Sequence, residues 1–508
     1  MFFRSLVLWL GLATPAQAAF EVTEATIAQI HAALQAGQLT CRELVGQYQR
    51  RIAAYDKNGP AINAIILVNA GVEAQAAELD RRFAAGGLTG PLHCIPMIVK
   101  DNFTTIGLQS AAGSLSLAGF VASKDADPVR RVKDAGALIL AKSNMAEFAF
   151  SPVETVSSIL PGYTRNPYAL DRVTAGSSGG TAAAVAASLG AVGLGTDTGD
   201  SIRGPSAHQA LAGIRSTMGL TSRAGVFPLN LLADIAGPMA RTVEDAVKVF
   251  AVMVGEDSAD PATAATHGRA KENYVSALDK NGLRGARLGI LRQAYERDTL
   301  DAEVVRVFET ALEDLRQAGA VIVDQAKVEM PQRVPGGNAC MGFKYDLNQF
   351  LASLGEGVPV KSLAEVLKSR KYHPSVQGRL EIEEKKEVHG PSSAECAAEM
   401  AYRQKFRDAV NQSMRELKLD GFVYPTWSNP PRLIGDLNTP GGDNSQVFSP
   451  TTGFPSINVP MGYTRGTLPA GITFFGRAWS EASLIRFAYA YEQATRWRHA
   501  PASTPPLR

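Results

Sequence analysis

The sequence lacks a block of like charge, a long apolar run and any metal-binding spacing, and each absence bears on what the chain can do. Lysine and arginine total 51 against 49 acidic residues, a formal net charge of +2. The densest charged stretch, Glu383-Glu384-Lys385-Lys386, is mixed in sign and reads as a solvated helical face. Charge therefore argues against a nucleic-acid partner. No apolar run approaches the ~20 residues that span a bilayer, so stable membrane insertion is not expected. Only four cysteines occur, with no CxxC and no Cys/His cluster along the chain, so neither a metal nor another cofactor is expected. The seven histidines are scattered, and His93 reads as a packing residue rather than a ligand. Cys41, Cys94, Cys340 and Cys396 can pair in three ways. Cys340 and Cys396, which flank one segment, are the pair expected first, and free buried thiols are the alternative.

What is present is an ordinary globular balance, 45% apolar and 20% charged, over 508 residues. That length supports one large core or two to three domains. Met1-Phe2-Phe3-Arg4, the apolar run Leu6 to Leu12 and Ala16-Gln17-Ala18 have the form of a secretory signal peptide. The expectation is cleavage after Ala18 and a mature chain, residues 19–508, that is periplasmic or secreted. Helical patterns cover Val22 to Ala36 and Thr40 to Tyr55, the second with Thr40 as N-cap. Strand and helix patterns then alternate: Ala61 to Leu67 extended, Ala70 to Ala84 helical, Ile95 to Lys100 extended. Asp127 to Ala135 is helical and feeds a strand at Leu138 to Ala141. Further strands are read at Leu288 to Leu291, Ala320 to Asp324 and Gly421 to Tyr424. Such alternation predicts an α/β sheet layered by helices. Residues 331–400 are more polar and largely helical, with breaks at Gly336-Gly337 and Gly355 to Pro359, and read as a cover or insertion over the sheet.

Chemistry concentrates between Gly176 and Thr217, which is rich in Gly, Ala and Ser. Gly176-Ser177-Ser178-Gly179-Gly180 opens a small-residue helix at Thr181 to Ser188. It lacks the Gly-Lys-Ser/Thr ending of a phosphate loop and the GxSxG elbow of histidine-based hydrolases. Leu194 to Arg203 places Ser201 after a strand and a tight glycine turn, where exposed backbone N–H groups suit an oxyanion hole. A serine needs a base to become a nucleophile. No histidine lies in either segment, and His208 follows two helical turns later. Lys100, ending the apolar run Ile95-Pro96-Met97-Ile98-Val99-Lys100, is the candidate base if burial keeps it partly neutral. An ion pair of Lys100 with Asp101 or Asp197 is the competing reading.

These segments resemble the amidase signature family: Lys100 in its Ile-Pro-x-x-Val-Lys-Asp-Asn setting, Gly-Ser-Ser-Gly-Gly at 176–180, and Gly195-Thr196-Asp197-Thr198-Gly199 leading to Ser201-Ile202-Arg203. Ser177 and Ser201 lie 24 positions apart, the spacing the resemblance calls for. The likeness extends through Asp127 to Val132, Ala141 to Phe148, Asn166-Pro167, Gly237 to Arg241, Gly453 to Pro460 and Leu468 to Ile472. Only 331–400 carries no match. The resemblance implies one large mixed sheet with helices on both faces, Ser201 as nucleophile, Ser177 after a cis peptide bond as bridging residue, and Lys100 as base. It further implies an oxyanion hole from the N–H groups of Thr198, Gly199, Asp200 and Ser201, with Ser178, Asp197 and Arg203 in support. Two positions depart from the pattern. Ala175 replaces a glycine, a small change in packing. Asp200 stands where glycine is expected, and either faces the substrate or, as the favoured reading, turns away to pair with a neighbouring base.

The implied function is hydrolysis of a small-molecule carboxamide through an acyl-enzyme. Carbamates, aryl amides and esters are alternative substrates of the same residues. A role as one component of an amidotransferase for charged tRNA fits poorly with a signal peptide, and a silent binding homologue would require Asp200 to have spoiled the site. Phe343, Tyr345, Phe350, Trp427 and Phe454 are candidate pocket walls. Oligomeric state is open, a homodimer being one option.

Overall fold

The computed structural model describes residues 20–267, 272–333 and 340–507. The signal-peptide expectation and the Gly336-Gly337 break lie outside the described residues. Eleven strands form one sheet: β1 Ile65–Val68, β2 Pro96–Lys100, β3 Leu138–Ser143, β4 Val192–Asp197, β5 Ala212–Arg215, β6 Ile235–Ala240, β7 Arg287–Ile290, β8 Val321–Val323, β9 Gly421–Pro425, β10 Ser456–Thr464 and β11 Leu468–Phe475. Their spatial order is β1-β3-β2-β4-β6-β5-β10-β11-β9-β7-β8. Parallel pairs β3/β2/β4 and β9/β7/β8 lie toward the two ends, and antiparallel pairs fill the middle, so the sheet is mixed.

Every residue of β2, β3, β4, β6, β9 and β11 is buried. Side chains alternate across a strand, so burial of all of them means that both sheet faces are covered. The helix Gly179–Ala186, GGTAAAVA, is buried throughout. Its small residues let it press onto β4: a Cβ on Gly193 would sit 2.4 Å from Thr181 Cγ2.

Several elements match their sequence pattern closely, among them the helix Cys41–Tyr55, where Thr40 and Glu43 form a capping box. The first helix starts later than its pattern, at Ile27, because Thr26 caps it with Gln29. The first strand is cut back to Ile65–Val68, since Ala61 and Asn63 take left-handed backbone conformations (φ 50° and 57°). Strands β5, β6, β10 and β11 carry no periodic signal. Pro238 sits inside β6, and β10 shifts register between Pro460 and Gly462, so glycine and proline mask strands that pairing on both sides sustains.

Between residues 340 and 416 the chain is helical, with Phe343–Ser353, Leu363–Ser369, Gln377–Lys385 and Ala394–Glu416. The first three bury Phe343, Leu347, Leu363, Val366 and Leu380 against Leu117, Phe120, Phe148, Phe150 and Phe227 in a second apolar core. Both cysteine pairs are bonded, Cys340 to Cys396 and Cys41 to Cys94. The first ties the start of this helical cover to its longest helix. Folding does bring a Cys/His group together that the linear sequence does not show, with His93 Nε2 3.8 Å from Cys41 Sγ and Cys94 beside them. The disulfide uses both thiols, and His93 packs on Phe83 with ring centroids 5.6 Å apart.

Candidate active site

Lys100 ends β2, and β4 runs parallel beside it, with Met97, Ile98 and Val99 opposite Val192, Gly193 and Leu194. Parallel neighbours end on the same side of a sheet, so Lys100 arrives next to Thr196 and the loop beyond Asp197. Its amine is fully buried. Nζ donates to Ser177 Oγ at 2.7 Å and to Thr196 Oγ1 at 2.8 Å, and Asn102 Nδ2 also reaches Thr196 Oγ1 at 3.1 Å. Neither candidate ion-pair partner is bound to it. Asp101 accepts from the N–H groups of Ala111 and Gly113, and Asp197 is held by two arginines. Burial therefore outweighs the charges of Asp197 and Asp234 and brings the Lys100 pKa down from 10.5 to about 7.

Ser177 is buried behind a cis peptide bond from Gly176. Ser178 brackets the end of β4, its hydroxyl donating to Thr196 O at 3.1 Å and accepting from Thr196 N at 3.3 Å. The loop to Ser201 is anchored on Asp197. Its carboxylate accepts from the N–H groups of Ile202 and Arg203 at 3.2 and 3.3 Å, from Arg203 Nε at 3.0 Å and from Arg215 Nη1 at 2.8 Å. Burial alone would raise this carboxyl, but Arg203 and Arg215 hold it far below the usual carboxylate range. Arg203 also donates to Gly199 O and Ser445 O. Thr198 Oγ1 donates to Asp234 at 2.5 Å. Among the described residues, the N–H groups of Thr198, Gly199, Asp200 and Ser201 donate to no protein acceptor, so they are free to serve a bound oxygen.

Ser201, 5% exposed, lies in the wall of a cleft of about 580 Å³. Apolar Phe150, Phe343 and Leu229 share that wall with Arg333, Arg379, Glu383, Lys386, Glu399, Arg403 and Asp443. A larger groove of about 870 Å³, between the helices Cys41–Tyr55 and Val72–Gly86, holds none of the candidate residues. Of the aromatic candidates only Phe343 lines the cleft. Phe350 packs on Phe227 with the rings tilted by 60°, Trp427 stacks on His208, and Phe454 packs near Phe475 in the main core.

The amidase family profile matches residues 43–485. The chain belongs to the amidase signature family. Its fold superposes on native peptide amidase from Stenotrophomonas maltophilia with a TM-score of 0.85 and 37% identity, covering 95% of this chain and 99% of that one. It is 34% identical to a probable amidase of Arabidopsis thaliana over 98% of this chain and 96% of the relative. One chain of the glutamyl-tRNA(Gln) amidotransferase from Acinetobacter baumannii is 32% identical, over 93% of this chain and 96% of that relative.

Within this family framework, Asp200 corrects one expectation. Its buried carboxyl is absent from the cleft lining and meets no base among the described residues: it lies beside another acid, Asp443, while Arg203 turns Nε and Nη2 to Asp197 and leaves Nη1 unpartnered. Three further residues escape a reading of the sequence: Thr196, Arg215 and Asp234. Thr196 lies inside the motif, but nothing in the sequence marks its hydroxyl as the second acceptor of the Lys100 amine. Arg215 and Asp234 come from β5 and from the turn before β6, strands that carry no pattern. His208 stays out of the chemistry, since burial beneath Trp427 lowers its pKa to about 3.

Proposed function

We propose that this chain is an exported amidase that hydrolyses a carboxamide C–N bond through an acyl-enzyme on Ser201. The observation that carries this reading is the buried Lys100 amine, hydrogen-bonded to Ser177 and Thr196 and paired with no carboxylate among the described residues. A pKa of about 7 makes the neutral amine available at physiological pH. Neutral Lys100 takes the Ser177 proton as Ser177 takes that of Ser201, and Ser201 Oγ bonds to the substrate carbonyl carbon. The free N–H groups at 198–201 hold the developing oxyanion. Collapse breaks the C–N bond, the amine leaves with a proton returned through Ser177, and water releases the acid by the reverse relay. Likeness to the peptide amidase, and a cleft lined by apolar groups and both signs of charge, favour a peptide amide as substrate. Two disulfides and the signal-like N-terminus support export.

The test is turnover of a panel of peptide amides, primary amides, anilides, carbamates and esters by wild type, Ser201→Ala and Lys100→Ala purified from the periplasm or medium. Peptide amides turn over best, and both variants lose at least ~10³-fold in kcat/KM. A fully active Ser201→Ala contradicts the nucleophile assignment. An inert wild type favours the silent homologue. Similarity to the tRNA amidotransferase chain favours a second reading, which activity only with partner proteins and charged tRNA would select.

A further inference from the structure

Asp200 immediately precedes Ser201, is completely buried, and neither of its carboxyl oxygens receives a hydrogen bond from an N–H or O–H donor among the described residues. An ionised carboxylate in such a place would be unsolvated. One oxygen lies over Gly204, 1.9 Å from where a Cβ on that glycine would be, with Trp427 Cζ2 3.0 Å from the same point. Trp427 is bridged through its backbone to Asp443, whose carboxyl is within hydrogen-bonding reach of Asp200. Asp443 differs from Asp200 in having donors: Ser445 N at 2.9 Å and the Gln446 side-chain amide. Gln446 in turn covers Gly199, its Oε1 2.0 Å from where a Cβ there would stand.

We propose that Asp200 and Asp443 share one proton and form a clasp, with neutral Asp200 the positioning residue that fixes the 198–201 loop to the cleft wall. This rests on the reading of Ser201 as nucleophile. Asp443, with its two N–H donors, holds the negative charge, and the Asp200 hydroxyl donates to it. Asp197 and Arg203 secure the loop from the sheet side, and the clasp secures it from the wall side. The charged or titratable groups facing the pair are few. Arg203, whose Nε and Nη2 bind Asp197, Gly199 O and Ser445 O and whose buried Nη1 has no hydrogen-bond partner among the described residues, lies beside both carboxyls, and Asp197 and Tyr424 complete the shell. Arg297 reaches only the Asp443 backbone carbonyl. Burial first, then the Asp443 charge, pushes the Asp200 carboxyl well above the usual range. Loss of the shared proton at alkaline pH would place a second negative charge next to the oxyanion and weaken kcat, not KM.

The experiment measures kcat and KM from pH 5 to 10, and thermal unfolding across the same range, for wild type, Asp200→Asn and Asp200→Ala. Wild-type kcat falls at the alkaline end. Asp200→Asn still donates to Asp443, so it loses that alkaline limb and retains ~10-fold more kcat than Asp200→Ala. The pair, whose folded form keeps a proton that the unfolded chain releases above about pH 4, loses stability as pH rises. The melting temperature of Asp200→Asn therefore climbs relative to wild type between pH 5 and 9. An alkaline limb common to wild type and Asp200→Asn, or a melting difference flat with pH, overturns the proposal. Asp443→Asn, on the cleft side, supplies the same pH comparison should the Asp200 variants fail to fold. The melting readout needs no turnover, so the clasp can fail while the amidase reading stands, and the reverse.

Discussion

At Lys100, burial outweighs the charges of Asp197 and Asp234 and brings the amine, which donates to two hydroxyls, down to a pKa of about 7. Linkage fixes the sign of what this does to stability. The unfolded chain binds a proton here up to about pH 10.4 while the folded one releases it near 7, so this residue costs stability at low pH, and the cost diminishes between those values. Lys100→Met should therefore raise the melting temperature at pH 6 and lose that advantage toward pH 10, while abolishing turnover. A melting curve for Lys100→Met at or below wild type at pH 6 would show that the amine is stabilised by more than its two hydroxyl contacts. Lys100, Ser177 and Ser201 stand out in the sequence through the family resemblance of the local motifs that carry them, whereas the residues alone leave Lys100 between base and ion-pair partner. Asp234 and Arg215 do not stand out, since they meet the motif only through pairing of β4 with β6 and β6 with β5.

The elements around the cleft divide into a rigid floor and a tied cover. The floor is the end of β4 and its loop, braced on Asp197. The cover is the helix Ala394–Glu416, whose Arg403 donates to Glu399, Leu232 O, Pro450 O and Thr451 O and so joins three segments of the cleft wall. Cys340 sits at the edge of that cleft, and its bond to Cys396 fixes the N-terminal turns of the same helix. Replacing both by serine should raise KM by ~3–10-fold and leave kcat within ~2-fold, because the floor is untouched. Closing a loop of 56 residues is worth roughly 4 kcal/mol in the chain-entropy model, so the melting temperature should fall as well. An equal loss in kcat, with KM unmoved, would place the bond in the chemistry instead of the cover. This region is the least legible in sequence: its helices are visible as patterns, but which faces meet Phe148 and Phe227 depends on packing between segments more than a hundred residues apart.

At the scale of the whole molecule, the described residues build one eleven-stranded sheet. The alternation of strand and helix patterns before residue 200 points to layers, and β2, β3 and β4 form where they are expected or within a few residues. The central antiparallel strands are hidden because they are short or interrupted by Gly and Pro, and only the family resemblance points to the segments that become β6, β10 and β11. The consequence for function is positional. Parallel neighbours β2 and β4 deliver the amine and the serine loop to one edge, while β5 and β6 return Arg215 and Asp234 to brace it.

The most direct test of the central claim, a buried neutral amine acting on Ser177 and Ser201, is the pH dependence of kcat/KM on the preferred amide. A group that must be deprotonated gives a rate that rises tenfold per pH unit below its pKa and then levels. The account predicts a single-proton rise with its midpoint near pH 7, as burial of Lys100 dictates. A midpoint in the carboxylate range near pH 4 to 5, or a flat profile from pH 5 to 9, would contradict it.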